Sequence, residues 1–172
     1  MCFNQRPVVW FAILVLITWV SLSTFALYHF MFADYGEFDP EQQWLGWQPS
    51  AQLGQQLDLS PDHQQWSVVH IRKKDCSCNT YLATHLKDLS AEHPQVDQLN
   101  ASVATLNDYG FIVPATPMAL VFQGQQLVYA GPYASGPFCA SEDSLIDDLL
   151  SQRTQLAGTY LQGLAKACRC LQ

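Results

Sequence analysis

The chain has 172 residues and six cysteines, with 15 acidic residues against eight Lys and Arg and a formal net charge of −7. That length leaves room for one compact domain once an apolar N-terminal stretch is set apart. The acidic balance removes the electrostatic basis for a nucleic-acid groove or for attraction to an anionic lipid surface.

Between Arg6 and Asp34 there is no Asp, Glu, Lys or Arg, and residues 8–32 are dominated by Val, Ile, Leu, Phe and Trp. About 25 such residues suffice to span a hydrocarbon layer roughly 30 Å thick. Trp10, Tyr28 and His29 stand towards its ends, where ring systems with a polar tip favour the interface. Arg6 precedes the stretch and Asp34, Glu37, Asp39 and Glu41 follow it, so the positive-inside bias predicts a cytoplasmic N-terminus (1–7), a transmembrane helix (8–32) and a domain on the far side. A cleaved signal peptide is the competing reading; Thr24-Phe25-Ala26 is a poor cleavage site, and the apolar run continues past it.

Residues 33–50 are acidic, hold Gly36, Pro40, Gly46 and Pro49, and read as a juxtamembrane linker able to pack on the domain through Tyr35, Trp44 and Trp47. The domain proper is predicted over 51–172. Leu53, Leu57 and Leu59 point to a short helix, and the β-branched and aromatic run 66–72 to a strand. Leu82, Leu86 and Leu89 then follow at helical spacing from a start near Cys78, with Pro94 as the stop. A short strand is expected at 96–99, and a hairpin over 118–130 turning at Gln123-Gly124-Gln125. Ser141 is the expected cap of a last helix carrying Leu145, Ile146, Leu149 and Leu150 on one face, and 155–167 reads as a further helical piece.

The chemistry-bearing residues are the cysteines. Asp75-Cys76-Ser77-Cys78 falls between the first strand and the helix, and the chain closes its run of cysteines with Cys168-Arg169-Cys170. A helix N-terminus and the upstream Arg72, Lys73 and Lys74 favour a thiolate, with Asp75 opposing them, so Cys76 is the expected nucleophile and Cys78 its partner. A bridge within a C-x-C pair demands a sharply bent backbone, which leaves pairing with other cysteines, or a shared metal, as alternatives. The hairpin should return Cys139 to the same end of the sheet, within reach of Cys76 and Cys78. Cys168 and Cys170 are a candidate relay or disulfide pair. Five cysteines beyond the membrane are an odd number, so at least one is free, metal-bound or paired elsewhere. Cys2 precedes the apolar run and reads as an exposed thiol, while His70 and His85 read as satisfied residues of a strand and a helix.

The order of strand, Cys pair at a helix start, Tyr109-Gly110-Phe111-Ile112-Val113-Pro114-Ala115-Thr116-Pro117, hairpin and last helix resembles the thioredoxin superfamily. It is similar in particular to membrane-anchored thioredoxin-like proteins of Gram-negative bacteria. The resemblance implies an α/β fold with a central mixed sheet flanked by helices. It also implies a cis-proline at Pro117, and a loop at Thr116 and Pro117 that faces the cysteine pair and binds extended substrate. The departure is C-x-C where the superfamily has C-x-x-C.

The expected function is therefore a thiol–disulfide oxidoreductase acting on protein thiols or disulfides, anchored in the bacterial inner membrane with its domain in the periplasm and needing no cofactor. Two alternatives stand beside it: a thiolate site for copper or zinc, and a non-catalytic scaffold stapled by disulfides such as Cys139 to one of the terminal pair.

Overall fold

The computed structural model describes residues 6–136 and 144–172. The chain divides into two compact units, 1–33 and 34–172. The first is α1 (Arg6–Phe32), whose segment Pro7–Phe30 has a mean hydropathy of 2.2 and is long and apolar enough to cross a membrane.

The second unit is built on a five-stranded sheet in the order β3-β2-β5-β6-β7. A unit of strand, helix and parallel strand comes first: β2 (Trp66–Ile71), α3 (Asn79–Glu92) and β3 (Asp97–Ala101), with Ser67 opposite Asp97. Next come the short helix α4 (Val103–Asp108), capped by the Ser102 hydroxyl, and β4 (Ala115–Thr116). The hairpin of β5 (Met118–Gln123) and β6 (Gln126–Gly131) turns at Gly124, whose φ of +59° suits glycine. β5 lies antiparallel to both β2 and β6. After α5 (Leu145–Leu150), β7 (Tyr160–Leu161) adds parallel to β6. This is the expected thioredoxin-like arrangement, a mixed sheet with helices on both faces.

Strand alternation explains the two cores. Val69, Ile71, Met118, Leu120 and Phe122 face one side, where Leu106, Phe111 and α2 (Leu53–Gln56) cover them. Val68, Ala119, Val121 and Tyr129 face the other, beneath Leu82 and Leu89 of α3 and Ile146 and Leu149 of α5.

Two features differ from the sequence expectations, and a third falls outside the described residues. The segment 33–50 is part of the globular unit from Asp34 onward: β1 (Tyr35–Glu37) pairs with the C-terminal tail, and Phe38 and Trp44 are buried. The Asp39 carboxylate accepts the Gln43 and Trp44 amides, and the Trp44 indole donates to the Ile112 carbonyl at 2.9 Å, so the aromatics have polar partners that a linker would lack. Residues 155–167 are not helical; they hold β7 and run into β8 (Lys166–Cys168), followed by β9 (Cys170–Leu171). Strand partners there override a composition of small residues and leucines that suits a helix. The helix α5 begins at Leu145 with Ser144 as its N-cap; the expected cap at Ser141, with Glu142 and Asp143, lies outside the described residues.

Candidate functional site

The loop after β2 turns tightly into α3. The Cys76 amide donates to the Lys73 carbonyl at 3.2 Å, and Asn79 closes the turn by donating from its backbone to Cys76 and from its side chain to Lys73. Cys78 is the N-cap residue of α3. Cys76 and Cys78 are 5 % and 1 % exposed, whereas Cys168 and Cys170 are half-buried.

The two C-x-C pairs bond to each other in antiparallel register. Cys76 is joined to Cys170 and Cys78 to Cys168, each across a Cα separation of 5.8 Å. Of the alternatives left open by the sequence, pairing with other cysteines is therefore the one adopted, and Cys76 is not bonded to Cys78. The tail's spacing follows from its backbone: residues two apart in an extended strand present their side chains on one side, so both cysteines meet the α3 loop. The intervening residues engage Asp34 and β1. The Ser77 hydroxyl donates to the Asp34 carboxylate, the Arg169 amide donates to the Asp34 carbonyl at 2.6 Å, and the Arg169 guanidinium donates to the Glu37 carbonyl.

The tail is also zipped into short ladders. β8 pairs with β1, with Cys168 opposite Tyr35, and β9 pairs with β4, with Cys170 opposite Thr116. Gln172 extends the second ladder through its amide to the Pro114 carbonyl and its side chain to the Thr116 hydroxyl at 2.9 Å. The Thr116–Pro117 peptide bond is cis, and the Thr116 carbonyl oxygen lies 3.5 Å from Cys76 Sγ. Pro117 borders a small apolar cavity with Cys78, Cys168, His85 and Tyr133. Thr116, Pro117 and all four of these cysteines thus converge; Cys139 lies outside the described residues, and with both tail cysteines engaged elsewhere neither is left to pair with it.

Sequence reasoning missed Asp34, Arg169 and Gln172. The matching C-x-C spacing at both ends was the available signal, because equal spacing is what two antiparallel bridges require.

Residues 42–172 match the family described as "Domain of unknown function (DUF6436)". The chain belongs to that family. The match begins inside the segment that packs as part of the globular unit, ahead of residue 51. No curated protein matches this DUF6436 chain in sequence. Among solved structures it is similar to Fasciola hepatica thioredoxin, at 17% identity over 53% of this chain and 83% of that one with a TM-score of 0.40. Oxidised Plasmodium falciparum thioredoxin gives 10% identity over 58% and 89% with a TM-score of 0.42, and oxidised thioredoxin O2 of Arabidopsis thaliana 14% over 63% and 92% with 0.43. These overlaps are partial and concern chain path only.

Behind the cysteines, β2 carries a buried histidine. His70 Nδ1 lies 2.6 Å from the Tyr133 hydroxyl and Nε2 3.1 Å from Gln98 Oε1. A neutral ring satisfies both if it accepts from Tyr133 and donates to Gln98. Burial holds the His70 pKa down to about 4, with Arg72 and His85 pushing the same way against the Gln98 hydrogen bond. The unfolded chain takes up this proton near pH 6.5 and the folded chain only near 4, so stability falls as pH drops through that window, by about 3 kcal/mol in all. His85 is lowered too, chiefly by burial, and adds in the same direction. Thermal midpoints of the full chain should therefore decline from pH 7 to 4.5, and the slope should shrink in His70→Gln. A flat wild-type profile over that range contradicts this account.

Proposed function

We propose that this protein is a thiol–disulfide exchange protein, anchored by α1 in the bacterial inner membrane with its domain in the periplasm, whose partners are protein thiols and disulfides. One observation carries the reading: the disulfide at the α3 loop, Cys76–Cys170, ties that loop to a strand laid along Thr116, with the Thr116 carbonyl 3.5 Å from Cys76 Sγ. A disulfide at a helix start, flanked by Arg72, Lys73 and Lys74, has a cysteine whose thiolate is a good leaving group. The charge asymmetry across α1 and its apolar length support the anchor.

Cys170 is the less buried residue of the bridge, and an incoming dithiol, as its thiolate, attacks its Sγ. The Cys76–Cys170 bond breaks, Cys76 leaves as a thiolate, and a mixed disulfide joins Cys170 to the attacker. The attacker's second thiol then displaces Cys170 and leaves as an oxidised disulfide; Cys170 and Cys76 take up protons, the Cys76 thiol facing the Thr116 carbonyl as an acceptor. Run backwards, the same steps reduce a substrate disulfide to a dithiol and re-form the Cys76–Cys170 bond. Cys78–Cys168 is a second two-electron pair beside the first.

Trapping tests this on the full chain in detergent. Native protein is mixed with a single-thiol variant of a thioredoxin-type reductant, acid-quenched, alkylated and mapped by mass spectrometry. The mixed disulfide is expected on Cys170, with Cys76 alkylated, and a Cys76→Ala variant should lose exchange with an oxidised protein substrate. Disulfides that survive dithiothreitol in the native protein would overturn the reading and leave two structural staples.

A further inference from the structure

The sulfur cluster has a use beyond exchange. The Sγ atoms of Cys76, Cys78 and Cys170 all lie within 4.8 Å of one another, and Cys168 Sγ is bonded to Cys78 at 2.10 Å. We propose that, when both disulfides are reduced, Cys76, Cys78, Cys168 and Cys170 form a four-thiolate binding site for a thiophilic d10 cation, Zn(II) or Cu(I).

The donor set is the first reason. Four thiolates fill a tetrahedral shell, and soft sulfur selects these ions over Mg(II) or Ca(II). Spacing is the second: a Zn–S bond of about 2.3 Å puts tetrahedral sulfurs about 3.8 Å apart, within the 4.8 Å that bounds the separations of the Cys76, Cys78 and Cys170 Sγ atoms. Opening each S–S bond to that distance asks for side-chain rotations and little more, since both Cα pairs are 5.8 Å apart.

The third reason is that the fold lays the two halves side by side. β8 on β1 and β9 on β4 set the tail cysteines facing the α3 loop, Gln172 reaches Pro114 and Thr116, and a bound ion takes over from the disulfides in keeping these short ladders paired. Finally, the site is sheltered: Cys76 and Cys78 are buried.

The balance is simple. Each disulfide takes two electrons and two protons from a dithiol reductant, which becomes a disulfide, and the metal then displaces the thiol protons to water. Metal-bound and disulfide-bonded states exclude each other, so oxidation of the loaded site would expel the ion.

The test uses the full chain in detergent, reduced and freed of reductant without oxygen. It is titrated with Zn(II) and, separately, with Cu(I), each against a chromophoric chelator, with Co(II) as a spectroscopic stand-in for Zn(II). Expected are one ion per chain for at least one of the two metals, thiolate-to-Co(II) charge-transfer bands, shielding of Cys76, Cys78, Cys168 and Cys170 from alkylation, and no binding by the oxidised chain. Affinity in Cys168→Ser/Cys170→Ser should fall by more than the ~100-fold that loss of an outer-shell partner costs. Absence of stoichiometric binding by both metals, shielding of only two cysteines, or unchanged affinity in the double variant overturns the proposal. Shielding in the unmutated chain decides the matter even if the variant folds poorly, and no readout depends on exchange with another protein.

Discussion

Thermal unfolding of Cys168→Ser/Cys170→Ser should come roughly 10 °C or more below that of the unmutated chain, and dithiothreitol should lower the unmutated chain by a similar amount while leaving the variant unchanged. The bridges span 94 and 90 residues, and closing a loop of that length removes denatured-state entropy equivalent to about 4 kcal/mol. The second bridge adds far less than the first, because it closes only a short further loop once the first is in place. Near the midpoint, 1 kcal/mol corresponds to about 2–4 °C for a protein of this size. The consequence is local as well. β8 and β9 have three and two residues, too few to stay paired unaided, so Lys166 and Arg169 should become trypsin sites on reduction of metal-free protein. A reduced chain that keeps its midpoint and resists trypsin at the tail would show that the ladders, and not the bonds, hold it.

Phe38→Ala should cost about 3–5 kcal/mol, read from the urea midpoint at constant m-value, whereas Leu45→Ala seven residues later should stay within about 0.5 kcal/mol. Phe38 is fully buried and its ring centroid lies 6.0 Å from that of Trp44, which in turn packs edge-on against Phe111. Leu45 is 79 % exposed. Removing the Phe38 ring opens a cavity between the 38–44 segment and the sheet face of Val69, Ile71 and Met118. Equal small effects at both positions would return 34–50 to the status of a linker.

The elements with strong internal periodicity were legible before any coordinates. β2 is a run of β-branched and aromatic residues, α3 carries leucines every three or four positions, and the hairpin marks its turn with Gly124; in each case the pattern that buries the side chains lies within the element itself. The convergence of Cys76 and Cys78 with Thr116 follows from that order of elements, since β2 and β5 are neighbours and their adjoining loops share one end of the sheet.

The tail and the segment before residue 51 were not legible, for one physical reason. Strands of two or three residues have no periodicity to read, and they exist only because a distant partner supplies their hydrogen bonds: β8 depends on β1, and β9 on β4. Disulfide connectivity has the same origin. Four cysteines allow three pairings whatever their spacing, and the choice falls to whichever backbones lie side by side. The sequence alone determined a mixed α/β domain behind an apolar helix, with cysteines as its candidate site. Tertiary structure alone decided that each C-x-C pair faces the other, because only the folded sheet brings residue 170 beside residue 76.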